Sequence, residues 1–181
     1  MRVIAGDAGG LVLVAPRGSA TRPTTDKVKG AIFGMLGEAG AAGRVLDLFA
    51  GSGGLGIEAL SRGATWCDFV DRSPDAIAAI VANLAHTHQA GAGQVHRVEA
   101  LRFLDGIGTP FDLVLCDPPY GWVAMDDLLG RLARPEVTRG GGIVVLETGR
   151  RDPAPSPPAR LVVDRTRIHG DTVVTIMRAS G

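Results

Sequence analysis

The chain has 181 residues, 45% of them hydrophobic and 21% charged, with a formal net charge of zero. A chain of this length suits one domain that buries about 70% of its unfolded surface, and its apolar content excludes wholesale disorder. The neutral total hides a segregation: residues 1–30 carry +3, residues 31–149 carry −6 and residues 150–181 carry +3, so a polyanionic partner is not excluded. In chain order, Val3–Ile4 and Leu11–Val14 flank Gly6, Gly9 and Gly10 and predict a small N-terminal β-hairpin. After Pro23, the Thr24-Thr25-Asp26 cluster caps a helix with Val28, Ile32, Met35 and Leu36 on one face. Arg44–Phe49 reads as a buried strand, followed by a glycine-rich turn and a helix from about Leu55 to Arg62. Thr65–Val70 is a second strand, and Ser73-Pro74 starts a helix with Ile77, Ile80, Val81 and Leu84 as its buried stripe. Gln94–Val98, Phe111–Cys116 and Gly142–Glu147 are further strands with helical segments between them. That βαβ alternation predicts a doubly wound, mostly parallel sheet covered on both faces.

The C-terminal part breaks the rhythm. Asp152-Pro-Ala-Pro-Ser-Pro-Pro158 is an extended connector, and Leu161–Ile168 and Asp171–Arg178 form an antiparallel hairpin around His169-Gly170. The longest run without Asp, Glu, Lys or Arg, Ala76–His96, contains Asn83, three His and two Gln, so no membrane span is expected. The opening Met-Arg-Val-Ile-Ala-Gly-Asp has no apolar signal region, which predicts a cytoplasmic protein. Cys67 and Cys116 show no metal spacing and read as reduced core thiols, and Cys116 lies in an apolar strand without a base to activate it. His86 and His88 do not share a helix face, so no metal is expected.

Two motifs carry chemistry. Val45-Leu-Asp-Leu-Phe-Ala-Gly51-Ser-Gly53-Gly54-Leu-Gly56 follows a strand and opens a helix, where a Cβ would hold a ligand away from the backbone. Gly51, Gly53 and Gly56 satisfy the dinucleotide pattern, so NAD(P) is one reading. Asp47, four residues before Gly51, would repel a pyrophosphate and hold a cationic amine. Asp71 ends the next strand, where a carboxylate binds ribose hydroxyls. S-adenosylmethionine (AdoMet) has both the amine and the ribose and is the favoured cofactor. The second motif is Asp117-Pro118-Pro119-Tyr120, at the end of an apolar strand and so at the ligand-binding edge of an open α/β sheet. Asp117 and the Pro118 carbonyl would accept both hydrogens of an exocyclic amine, with Tyr120 stacking on the base.

Together these motifs resemble the class I AdoMet-dependent amino-methyltransferases. The longer stretches Arg22-Pro-Thr-Thr-Asp-Lys-Val28 and Leu48-Phe-Ala-Gly-Ser-Gly-Gly-Leu-Gly-Ile-Glu-Ala-Leu-Ser-Arg-Gly63 resemble the RsmD family, and the resemblance spans Arg2 to about Arg178. It implies a class I methyltransferase (Rossmann-like) fold with a seven-stranded sheet, residues 1–20 being a hairpin extension on a methyltransferase domain of residues 21–181. The implied activity is methylation of the N2 amine of one guanine, guanine-966, of 16S rRNA, in the assembled 30S subunit, by a cytoplasmic monomer without a metal. Asp47, Gly51 and Gly53 would hold the methionine end with Thr24, Asp71 the ribose, Glu99 and Ala100 the adenine border, and Asp117 to Tyr120 the guanine. The position of Glu99 more often carries Asp or Asn in that family. The hairpin stretch Gly6–Leu13 has no basic residue, so RNA contact falls to Arg2, Arg17, Arg22, Lys27 and Lys29. Arg150-Arg151 and Arg165/Arg167 are either further phosphate contacts or a solvated edge, and Trp122 either lines the base pocket or packs beside it. Methylation of an adenine N6 or a protein glutamine is the alternative, and a non-enzymatic RNA-binding or assembly factor is the reading from another class.

Overall fold

A computed structural model describes residues 1–17, 26–37 and 41–181. Its strands are β1 (Gly43–Leu48), β2 (Ala64–Asp71), β3 (Gly93–Arg97), β4 (Phe111–Cys116), β5 (Thr138–Gly149), β6 (Leu161–His169) and β7 (Thr172–Ala179). Its helices are α1 (Asp26–Leu36), α2 (Gly54–Ser61), α3 (Pro74–His86), α4 (Ala100–Asp105) and α5 (Met125–Leu132). The strands form one sheet in the order β3-β2-β1-β4-β5-β7-β6. β3, β2, β1, β4 and β5 are mutually parallel, and β7 runs antiparallel to both β5 and β6.

Strand periodicity of two sorts the apolar residues into two cores, one on each face. Val45, Phe69, Leu113, Leu115, Val145 and Ile176 pack with the apolar sides of α1, α2 and α3. Leu46, Leu48, Val70, Val114, Leu146 and Met177 pack with α4 and α5. Cys67 and Cys116 are buried free thiols, and burial pushes both well above the usual thiol range. That agrees with the inert role read for them.

Three expectations are adjusted. The N-terminal hairpin is reduced to one antiparallel bridge, Arg2 to Val12, with Val3 N donating to Leu11 O at 2.9 Å and Leu13 N to Met1 O at 2.9 Å. Gly10 N also donates across it to Val3 O at 2.8 Å, and further hydrogen bonds tie the segment to α2: Asp7 N donates to Ser61 O at 2.9 Å and Ala8 N to Ser61 Oγ at 2.9 Å. The α3 stripe is rotated. Val81 is 53% exposed, whereas Asn83 is buried. Asn83 tolerates burial because its amide is fully engaged: Oδ1 accepts from Val14 N at 2.8 Å, and Nδ2 donates to Val14 O at 2.9 Å and Ser52 O at 2.8 Å. Lys29, expected at the surface, is completely buried in α1. The helix start at Ser73-Pro74 holds, with Ser73 Oγ accepting from Ala76 N. Among the described residues no helix is long and apolar enough to cross a membrane, and no group of three or more His, Cys, Asp or Glu is placed to hold a metal ion.

Candidate active site

The carboxyl ends of β1, β2, β4 and β5 open into one cavity of about 900 Å³. At the end of β1 the chain turns through Phe49 (φ 63°), Gly51 (φ 55°) and Gly53 (φ 76°) into α2. A left-handed Phe is an outlier of the kind found where the surroundings enforce it, and Phe49 is held by an edge-to-face contact with Trp122, centroids 5.1 Å apart. Three of the four glycines in this stretch do different work. Gly51 lines the cavity, and a Cβ there would meet nothing within 4 Å. Gly53 faces Ile57, Phe69 and Ile80, and its N–H donates to Ala50 O at 2.7 Å. A Cβ on Gly56 would lie 2.4 Å from Phe69 Cε1 and 2.7 Å from Cys67 Sγ, so Gly56 lets α2 approach β2.

Carboxylates dominate the lining. Asp47 is 2% exposed and accepts from Gly56 N at 2.8 Å. Burial pushes its carboxyl well above the usual range; the Gly56 N–H opposes this, while the charges of Asp117 and Asp71 add to it. Asp71 ties the loops together, accepting from Gly51 N at 2.9 Å and Ser73 N at 2.8 Å. Each of its oxygens keeps a lone pair for another donor. Glu99 caps α4, its Oε2 accepting from Leu101 N at 2.9 Å and Arg102 N at 3.2 Å. The side chain is held at this helix end while Glu99 lines the cavity. Glu147, at the end of β5, is buried in the same wall. A cavity with Asp47, Asp71, Glu99, Asp117 and Glu147 in its walls favours a cationic guest.

β4 ends at Cys116, and Asp117 N reaches back to Leu48 O at 3.4 Å, which seats the Asp-Pro-Pro-Tyr corner beside the β1 turn. Asp117, Pro119, Tyr120 and Trp122 line the cavity. Tyr120 is 58% exposed, and its hydroxyl lies 3.2 Å from Thr172 Oγ1. That contact joins the corner to the β6–β7 turn, whose residues 169–172 form the far wall.

Of the residues singled out in the sequence, Asp47, Gly51, Asp71, Glu99, Ala100, Asp117, Pro119, Tyr120 and Lys27 line this one cavity. Pro118 is buried behind them, and Gly53 serves the turn and the packing beneath it. Thr24 and Arg22 lie outside the described residues. Arg2 and Arg17 are on the surface, Arg2 paired with Asp26 at 3.5 Å. Lys29 is a correction. Its Nζ lies 3.2 Å from Glu58 with both side chains out of solvent, so its charge is spent inside the fold and unavailable to RNA. Sequence reasoning missed Phe49, Glu147 and His169. Glu147 was findable: it is an acid at the carboxyl end of a predicted parallel strand, where such sheets bind ligands. Phe49 and His169 carried no comparable signal.

A family model described as conserved hypothetical protein 95 matches residues 1–178. A Bacillus subtilis (strain 168) protein named "Putative rRNA methyltransferase YlbH" is 42% identical over 184 residues, covering 100% of both chains. "Ribosomal RNA small subunit methyltransferase D" of Escherichia coli (strain K12) is 31% identical over 170 residues, covering 94% of this chain and 85% of its own. The solved structure titled "Putative methyltransferase yhhF from Escherichia coli" superposes with a TM-score of 0.88 at 30% identity, covering 99% of this chain and 98% of that one.

Proposed function

The chain belongs to the RsmD family, whose model is described as conserved hypothetical protein 95, and has the class I methyltransferase fold; from that premise we propose that it methylates ribosomal RNA. The specific reading is transfer of a methyl group from AdoMet to the N2 amine of guanine-966 of 16S rRNA in the 30S subunit. The observation that carries it is the meeting of the Asp117–Tyr120 corner with the β1 glycine turn in one acidic cavity. Relatives named as ribosomal RNA methyltransferases support the RNA as substrate.

The lining fits AdoMet. Open space beside Gly51 accommodates a ligand, and the carboxylates suit its ammonium and sulfonium charges. AdoMet supplies, when bound, an electrophilic methyl. Asp47 and Gly51 hold the methionine end together with Thr24, Asp71 takes the ribose hydroxyls, and Glu99 and Ala100 border the adenine. Asp117 and the Pro118 carbonyl accept the two N–H groups of the guanine amine, which localises its lone pair and aims it. Tyr120 stacks on the base. As the nitrogen becomes cationic, the Asp117 carboxylate stabilises it and receives the proton that must leave. The target base must be unpaired or flipped to enter. Residues 1–20 serve as an extension of the catalytic domain of residues 21–181, contributing Arg2 and Arg17 to the RNA contact beside Arg22 and Lys27.

The test is transfer of labelled methyl from AdoMet to 30S subunits lacking the mark, with naked 16S rRNA alongside, followed by nucleoside analysis. N2-methylguanosine from the subunits is the expected product. N6-methyladenosine, or label in protein glutamine, would move the reaction to another amine. RNA binding with no transfer at all would make the chain an assembly factor.

A further inference from the structure

The pairing of β6 with β7 slips once, between Val163 and Arg165, leaving Asp164 as the extra residue of a β-bulge. One inserted residue exchanges the two faces of a strand from that point onward. Before the bulge, Leu161 and Val163 stand opposite Ala179 and Met177, which belong to the core under α4 and α5. After it, Arg165 and Arg167 stand opposite Ile176 and Val174, which belong to the other core. Val174 in turn stands opposite Glu147 in the cavity wall. The row ends at His169, opposite Thr172, and both line the cavity. An unbulged strand would present Thr166 and Ile168 on this face and turn both arginines away from it.

Arg165 and Arg167 are exposed on the edge strand of the sheet. Six other arginines have carboxylate partners: Arg2 with Asp26, Arg44 with Asp68, Arg62 with Glu58, Arg131 and Arg134 with Asp105, and Arg139 with Asp112. Among the described residues neither Arg165 nor Arg167 makes an ion pair; the side-chain bond of Arg167 goes to Thr166 O at 2.9 Å. Alternate residues of a strand are about 6.7 Å apart, comparable to successive phosphates of an extended nucleic-acid strand. The sheet order also fixes which ligand this end meets. Asp71 and Glu99, on the β2 and β3 side, belong to the proposed cofactor half, and Asp117 marks the middle. The β5-β7-β6 side is left for the acceptor.

We propose that the bulge at Asp164 aims Arg165 and Arg167 into a phosphate-binding track along which the RNA strand flanking the target base approaches the cavity. The proposal rests on the rRNA reading above. Edge charges and bulges also blunt strand pairing. That purpose does not select the face on which the cations stand, and losing it would cost solubility and leave RNA affinity intact.

The experiment measures binding of unmethylated 30S subunits at several KCl concentrations and fixed magnesium, for wild type, R165A/R167A, R165K/R167K and a deletion of Asp164. The double alanine variant should raise Kd at least ~10-fold and flatten the log–log salt slope by about 1.4, the share of two single-strand phosphates. Its AdoMet affinity should stay at the wild-type value. The lysine pair should recover most of the slope. Deleting Asp164 leaves a regular ladder with Arg165 and Arg167 still opposite Ile176 and Val174, so that variant should keep the wild-type affinity and slope. An unchanged slope in the alanine pair with AdoMet binding intact overturns the track, as does a wild type whose binding ignores salt. Altered oligomeric state with an unchanged slope also overturns it, in favour of edge protection. A wild type that binds with the expected slope but transfers no methyl would instead break the functional reading and leave the track standing.

Discussion

Lys29 Nζ lies 3.2 Å from the carboxylate of Glu58, and neither side chain is exposed. Glu58 also accepts from Ile4 N at 2.7 Å, Ala5 N at 3.1 Å and Arg62 Nε at 2.8 Å, while Lys29 donates to Arg2 O at 2.5 Å. One buried pair therefore ties residues 2–5 to α1 and α2. Removing one partner leaves the other charge buried, typically at a cost of about 3–5 kcal/mol. Arg62 and the two N–H groups remain on Glu58, so Lys29→Met should lose about 3 kcal/mol, read as a lower urea midpoint at constant m. Burial holds the Lys29 ammonium below its ordinary 10.5, against the pull of Glu58. Between that lowered value and 10.5 the unfolded chain binds more protons than the native one, so the contribution of Lys29 to stability rises with pH. The gap between wild type and Lys29→Met should widen as pH is raised through this window. A constant gap would mean that Lys29 titrates normally in the fold.

Asp117→Ala separates chemistry from cofactor binding. In the proposed reaction Asp117 touches the acceptor amine and not the cofactor, so turnover should fall at least ~10²-fold while the AdoMet Kd stays near wild type. Single-turnover transfer and calorimetric AdoMet titration check the two halves. Turnover near wild type would remove Asp117 from the mechanism.

Asp47 makes a pH prediction of the opposite sign to Lys29. Burial raises its carboxyl well above 3.8, so between 3.8 and the raised value the native chain binds more protons than the unfolded one. Asp47 then contributes no penalty below 3.8, and stability falls as pH rises through the window. A bound cation favours the carboxylate form, so AdoMet binding should expel a proton and tighten as pH rises from the ordinary aspartate range toward the raised value. Calorimetry in buffers of different ionisation enthalpy reads the proton directly. Asp47→Asn should abolish that release, weaken AdoMet binding and raise the stability of the ligand-free protein. Equal heats in all buffers would refute the linkage.

The sheet was legible in the sequence because its information is local. Apolar runs such as Phe111–Cys116, each bounded by turn residues, mark buried strands, and the predicted and observed bounds of β4 coincide. The motif acids were legible for the same reason, since each lies at or beside the carboxyl end of a strand. What escaped depends on partners far along the chain. Val81 and Asn83 exchange their expected places because Asn83 finds Val14, 69 residues away. Lys29 reads as a surface cation until Glu58 is placed beside it. The face on which Arg165 and Arg167 stand turns on a single bulge, which no local pattern announces. Glu147 sits at a strand end like the motif acids, but without a neighbouring motif to single it out.

Gly51 and Gly56 sit five residues apart in one loop–helix unit, and alanine should separate their roles. At Gly56 an added Cβ meets Phe69 Cε1 at 2.4 Å, Cys67 Sγ at 2.7 Å and Asp47 Cβ at 3.0 Å. Phe69 and Cys67 are fully buried, so neither moves without disturbing the core. Overpacking of this kind costs typically 1–3 kcal/mol, against which alanine returns up to ~1 kcal/mol of helix propensity. Gly56→Ala should therefore be less stable by about 2 kcal/mol. At Gly51 nothing lies within 4 Å and φ is +55°, so alanine costs roughly 1 kcal/mol of backbone strain. Its methyl group, however, stands on the cavity side, where the proposed ligand must approach the backbone. Gly51→Ala should keep most of its stability yet bind AdoMet at least ~10-fold more weakly, because close approach needs a bare Cα. Thermal melts and AdoMet titration of both variants give the comparison. If Gly51→Ala binds AdoMet as wild type does, the methionine end lies elsewhere, and the glycine turn serves only to join β1 to α2.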